Sequence, residues 1–121
     1  MKFSVPLIVA ALASSTQAMS LGYNAFASSS ITGSGYVAYL FVDGKNVAGV
    51  SKEGGSSSWV QWGIHKIQLK NAHMSSFELC IDVFGDVSCT KVVTGNPSCG
   101  FNPNNQRPEC STQWYDDNWG N

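Results

Sequence analysis

Hydrophobic and polar positions along the chain follow strand periods. Tyr36-Val37-Ala38-Tyr39-Leu40-Phe41-Val42 is a β-branched and aromatic run that stops at Asp43-Gly44. Asp-Gly is a strong signal for a two-residue hairpin, because both central residues of a type I′ turn need positive φ. Asn46 to Val50 is the expected return strand. Trp59 to Ile64 and Lys66 to Lys70 follow, the latter in strict alternation, as a strand with one wet face requires. Apolar positions are even at Val60, Trp62 and Ile64 but odd at Ile67 and Leu69, so a bulge or turn absorbs one residue near Gly63 to Lys66. Phe77, Leu79, Ile81 and Val83 share a face, with Glu78, Cys80 and Asp82 opposite. Gly85-Asp86 is the expected turn into a return strand, Val87 to Thr94.

No normal helix length keeps a 3.6-residue apolar period beyond the N-terminal segment. Six or seven short strands separated by turn residues predict an all-β fold, a small antiparallel β-barrel or β-sandwich. Lys52 to Ser58 is glycine- and serine-rich and is expected to be a flexible, solvated loop. From about Ser98 the composition changes to Asn102-Pro103-Asn104-Asn105-Gln106-Arg107-Pro108, and an irregular C-terminal segment is expected.

The first residues have a different character. Lys2 is followed by a largely apolar run, Phe3 to Leu12, and a small-residue exit, Thr16-Gln17-Ala18. That order is the signature of a secretory signal peptide spanning residues 1–18. The run is shorter than the roughly 20 residues of helix that cross a bilayer, so membrane insertion is not expected. Residues 19–121 then form a single extracellular domain. Removal of Lys2 with the leader takes the formal net charge from −1 to −2. Such a charge argues against nucleic-acid binding, which needs a basic surface.

The cysteines Cys80, Cys89, Cys99 and Cys110 are even in number and lie in the secreted part, as two disulfides require. Their spacing contains no C-x-x-C pair, so no metal is expected. Three pairings are open. Cys80–Cys89 and Cys99–Cys110 are favoured, the first across a hairpin and the second stapling the Asn/Pro-rich stretch. A two-residue turn at Gly85-Asp86 would oppose Asp82 to Cys89. Direct pairing of Cys80 with Cys89 needs the turn one residue earlier, or a bulge.

No catalytic residues emerge, and no cofactor is expected. His65 and His73 read as loop or surface histidines without a neighbouring nucleophile. A secreted ribonuclease would need a base, an acid and a cation, and Arg107 in a Pro/Asn loop with scattered lysines does not supply them. Asp116-Asp117-Asn118 lacks calcium-loop spacing. The surface candidates for binding are aromatic: Trp59, Trp114, Tyr115 and Trp119, since exposed rings stack on sugars or anchor interfaces. Val37, Tyr39 and Phe41 form a second apolar face if Tyr36, Ala38, Leu40 and Val42 form the first. That face is the expected interface of a homodimer, unless a second sheet or the Trp114–Trp119 segment covers it.

The leader ending Thr16-Gln17-Ala18, the Ser/Gly-rich strands and four late cysteines resemble the small secreted cysteine-rich proteins of plant-associated filamentous fungi, among them the Alternaria major-allergen group. That group is longer and has an additional early cysteine. The resemblance implies a compact β-barrel or sandwich and a non-enzymatic effector or elicitor that binds a host protein or glycan, or modulates plant defence. It carries no functional residue across. The alternatives are a carbohydrate- or cell-wall-binding module and an antimicrobial or killer-type toxin. A net negative charge weighs against the toxin, because membrane-active proteins use cationic surfaces.

Overall fold

A computed structural model describes residues 19–30, 33–104 and 106–119. The expected signal peptide lies outside the described residues. Among those described there is no helix, and nine strands are present. These are β1 (Met19–Ser30), β2 (Gly33–Val42), β3 (Lys45–Val50), β4 (Val60–Trp62), β5 (His65–Lys70), β6 (Ser76–Val83), β7 (Asp86–Val93), β8 (Ser98–Asn102) and β9 (Arg107–Trp119). They form two antiparallel sheets, ordered β3-β2-β1-β9-β8 and β4-β5-β6-β7, packed face to face as a sandwich.

Side-chain alternation decides what lies between the sheets. Leu21, Tyr23 and Ala25 from β1 point inward beside Ala38, Leu40 and Val42 from β2. Ile67, Leu69, Phe77, Leu79 and Ile81 meet them from the four-stranded sheet. Tyr23 stacks on Phe77 with ring centroids 4.2 Å apart, and Trp114 meets Phe77 edge-on at 5.8 Å. The five-stranded sheet also donates hydrogen bonds across the gap. The Tyr23 hydroxyl donates to the His73 carbonyl at 2.8 Å, and the Thr112 hydroxyl donates to that of Met74. Both bonds fix the β5–β6 connection.

The turns account for the register. Asp43 and Gly44 have φ of 52° and 82°, as a type I′ turn demands. Asp43 also accepts a hydrogen bond from the Ser20 amide and donates its own N–H to the Ser20 carbonyl, tying the hairpin to β1. Trp62 opposes His65 across Gly63-Ile64. This turn is the parity change legible in the sequence. It leaves Ile64 exposed, although its even position matches that of Val60 and Trp62, and rotates His65 inward beside Ile67 and Leu69. His65 is therefore a buried residue rather than a loop or surface histidine.

The β6–β7 hairpin turns at Phe84-Gly85, with φ of 52° and 94°, one residue before the expected Gly85-Asp86. Cys80 consequently faces Cys89 directly, and the two form a disulfide with a Cα separation of 4.0 Å. Cys99 and Cys110 form the second, across β8 and β9. The segment from Ser98 onward, expected to be irregular, is two strands. Pairing with the central strand β1 and the cross-strand disulfide override its loop composition.

The Ser/Gly-rich loop also departs from expectation. The Gly54 and Ser57 amides donate to the Ala72 and Leu69 carbonyls at 2.7 Å each, and the Ser57 hydroxyl accepts from the Leu69 amide. Serine side chains here stand in for backbone partners, so the loop runs pinned along the margin of β5.

Burial raises the pKa of Tyr23 above its ordinary value, reinforced by the Tyr36 hydroxyl 3.3 Å away, and burial raises that of Tyr36 as well. An unfolded chain ionises both near pH 10 while the fold holds them neutral. Their stabilising contribution is thus complete below about pH 10 and declines as pH rises through the folded values. Each tyrosine adds a slope of up to about 1.4 kcal/mol per pH unit. Urea unfolding at pH 8 and pH 10.5 should show a loss of stability that Tyr23→Phe makes shallower. An unchanged slope in that variant would contradict the assignment.

Candidate functional site

Three adjacent cross-strand rows make the middle of the outward side of the five-stranded sheet. Asn46, Phe41, Gly22 and Tyr115 make the first. Gly49, Tyr39, Asn24 and Gln113 make the second. Val37, Phe26, Ser111 and Ser98 make the third. These three rows contain aromatic rings, neutral amides, hydroxyls and glycines and no charged residue, while the next row, Gly35, Ser28, Glu109 and Gly100, carries the Glu109 carboxylate.

Two glycines determine how the rings lie. A Cβ at Gly49 would stand 3.0 Å from Cδ1 of Tyr39, so the tyrosine ring leans over β3 into the space that a side chain would fill. A Cβ at Gly22 would meet Phe41 Cβ at 3.4 Å and Tyr115 Cδ1 at 3.5 Å. Tyr115 thus leans over β1 from one side while Phe41 flanks it from the other. Tyr39 and Tyr115 remain 39% and 63% exposed, and Phe26 40%. A ring laid on a sheet keeps a face open to a ligand, and tyrosine presents large rigid area at low entropic cost.

The aromatic residues expected from sequence divide between surface and core. Tyr115 belongs to this outer face. Trp59 precedes β4 and is 39% exposed. Trp114 and Trp119 are partly buried and packed against the core, so they are not exposed platforms. The structure does not bring the four into one site. Val37, Tyr39 and Phe41 do share the outward face, opposite Ala38, Leu40 and Val42. The Trp114–Trp119 segment does not cover them. It continues the sheet as β9, next to β1. Phe26, Asn24 and Gln113 escaped sequence reading, although the alternation of Leu21, Tyr23 and Ala25 would have turned Asn24 and Phe26 outward.

The face borders two depressions. A groove of about 550 Å³ lies where Val37, Tyr39 and Gly49 meet Lys52 and the serines 56–58. A smaller one of about 230 Å³ is lined by Phe26, Gly100, Phe101, Asn102 and Glu109. In it the Asn102 side-chain amide donates to both Glu109 carboxylate oxygens, at 3.3 and 3.4 Å. A third concavity, about 400 Å³, lies at the end of the sandwich by Tyr36, Lys52, Glu53 and Cys110.

The histidines are not assembled with a nucleophile in the interactions described. His65 faces inward with its Nδ1 buried and without a hydrogen-bond partner, beside the Phe84 ring. His73 lies outside, its Nδ1 3.6 Å from the Glu53 carboxylate. Glu78, Cys80 and Cys89 group ligand-type atoms within 4.8 Å, yet both sulfurs are spent in a disulfide and are not thiolates. No protein family, curated protein or solved structure matches the chain.

Proposed function

We propose that the protein is a secreted, non-enzymatic binding protein whose partner is a neutral glycan, held on the outer face of the five-stranded sheet. The observation that carries this reading is the seating of the Tyr39 and Tyr115 rings over Gly49 and Gly22 in two neighbouring rows that hold no charged residue. Sugar rings offer apolar C–H faces and a rim of hydroxyls. Flat aromatic rings meet the former, and Asn24, Gln113 and Asn46 can donate to and accept from the latter. Two disulfides are compatible with an extracellular protein, and no described helix is long and apolar enough to cross a membrane. Contact with a plant cell wall or a host glycoprotein is how such a protein would act as an effector or elicitor. Infiltration of leaf tissue with wild type and a binding-dead variant tests that setting.

The direct test is co-sedimentation with insoluble cellulose, xylan, chitin and β-1,3-glucan. At least one should retain the wild type, and Tyr39→Ala or Tyr115→Ala should weaken retention about tenfold, as loss of a central aromatic anchor does. Retention of neither protein on any of them would refute the reading.

A second copy of the chain is the competing occupant, favoured by the apolar Val37 and Phe41 on the same face. Light scattering at micromolar concentration separates the two. A dimer that Phe41→Asp dissociates, with the fold retained, would assign the face to self-association.

A further inference from the structure

The outer face opens into a depression at each of its two margins, and this bears on the kind of glycan it takes. The groove beside β3 is lined by Tyr39 and Val37, and the depression beside β8 by Phe26. Val37 and Phe26 are cross-strand partners, so aromatic and apolar surface joins the two depressions without a break. The line between them runs across the strands. Five strands at the usual spacing of about 4.8 Å place the outer two roughly 19 Å apart, longer than a disaccharide.

Resting on the glycan reading above, we infer that the ligand is an extended oligosaccharide lying across the strands, with one end in each depression. The ends differ in chemistry. Lys52 and the serine hydroxyls supply donors beside β3, and the Glu109 carboxylate, already held by the Asn102 amide, supplies acceptor oxygens beside β8. Phe26 and Tyr39 seat the sugars between. A long ligand gains contacts at both ends that a short one, bound on the rings alone, cannot make.

The test is calorimetric titration with cello-, xylo- and β-1,3-gluco-oligosaccharides, each as disaccharide and hexasaccharide. For a glycan that binds, the hexasaccharide should bind at least about tenfold tighter than the disaccharide. Lys52→Ala and Glu109→Gln, altering opposite ends, should each weaken the hexasaccharide about threefold or more and leave the disaccharide unchanged. Equal affinity for the two lengths, with neither end variant having an effect, would overturn the extended ligand while leaving the aromatic platform standing. Loss of no affinity in Tyr39→Ala, or no binding at any length, would remove the platform itself and the extended ligand with it.

Discussion

Phe77→Ala is expected to cost about 3–5 kcal/mol. Phe77 is fully buried on β6 and stacks on Tyr23 of β1, with Trp114 of β9 at its edge. It therefore joins the two sheets at the centre of their contact. Removing the ring withdraws its own transfer free energy and leaves a cavity that two large aromatic neighbours cannot collapse to fill. Urea denaturation of both proteins measures the difference. A loss below about 1 kcal/mol would contradict the face-to-face packing of β1 on β6.

The disulfides should separate in effect. Chain entropy alone assigns each about 3 kcal/mol, since they close loops of similar length, with sequence separations of 9 and 11. Their surroundings are unlike. Cys80 is buried on β6, and its partner Cys89 is on β7, an edge strand, but one that pairs with β6 over eight residues and packs Val92 on the core. Cys99 is on β8, an edge strand whose residues are largely exposed and which pairs with β9 alone. Replacing Cys80 and Cys89 together by Ala should lower global stability by about 3 kcal/mol. Replacing Cys99 and Cys110 should release β8 first, with faster amide exchange at Ser98–Asn102 and protection kept in β5 and β6. Uniform loss of protection in the second variant would show that β8 is integral to the cooperative unit.

Much of this fold was written locally. Asp43-Gly44 and the alternation of Phe77, Leu79, Ile81 and Val83 announce their hairpins, and the parity change after Ile64 announces a turn. The position of the β6–β7 turn was less open to reading. Phe84 adopts positive φ, which a bulky residue resists, while Gly85-Asp86 offered the more familiar turn composition. The cysteines narrowed the turn's position to two solutions, because opposing Cys80 to Cys89 needs either the earlier turn or a bulge, and the chain takes the earlier turn.

Long-range pairing hid the remainder. β1 is interspersed with glycine, alanine and serine, and β9 opens from an Asn/Pro-rich stretch. Neither has strong β propensity along its whole length, and each is a strand because it lies beside the other. The candidate site suffered most from this. Alternation in β2 turns Tyr39 outward, but the face is completed by Phe26, Asn24, Gln113 and Tyr115, which only the β2-β1-β9 order brings alongside. Trp114 and Trp119 were drawn to the surface by their polar neighbours, whereas strand alternation turns Trp114 onto Phe77.

Glycan recognition by the outer face is the central claim, and amide chemical-shift mapping tests it most directly. Isotope-labelled protein is titrated with the hexasaccharide of whichever polysaccharide retains it. The shifts should gather on Gly22, Asn24, Phe26, Tyr39, Gly49, Gln113 and Tyr115, spread over β1, β2, β3 and β9. Shifts confined to Trp59, or to the sandwich end around Tyr36 and Glu53, with the outer face silent, would contradict it.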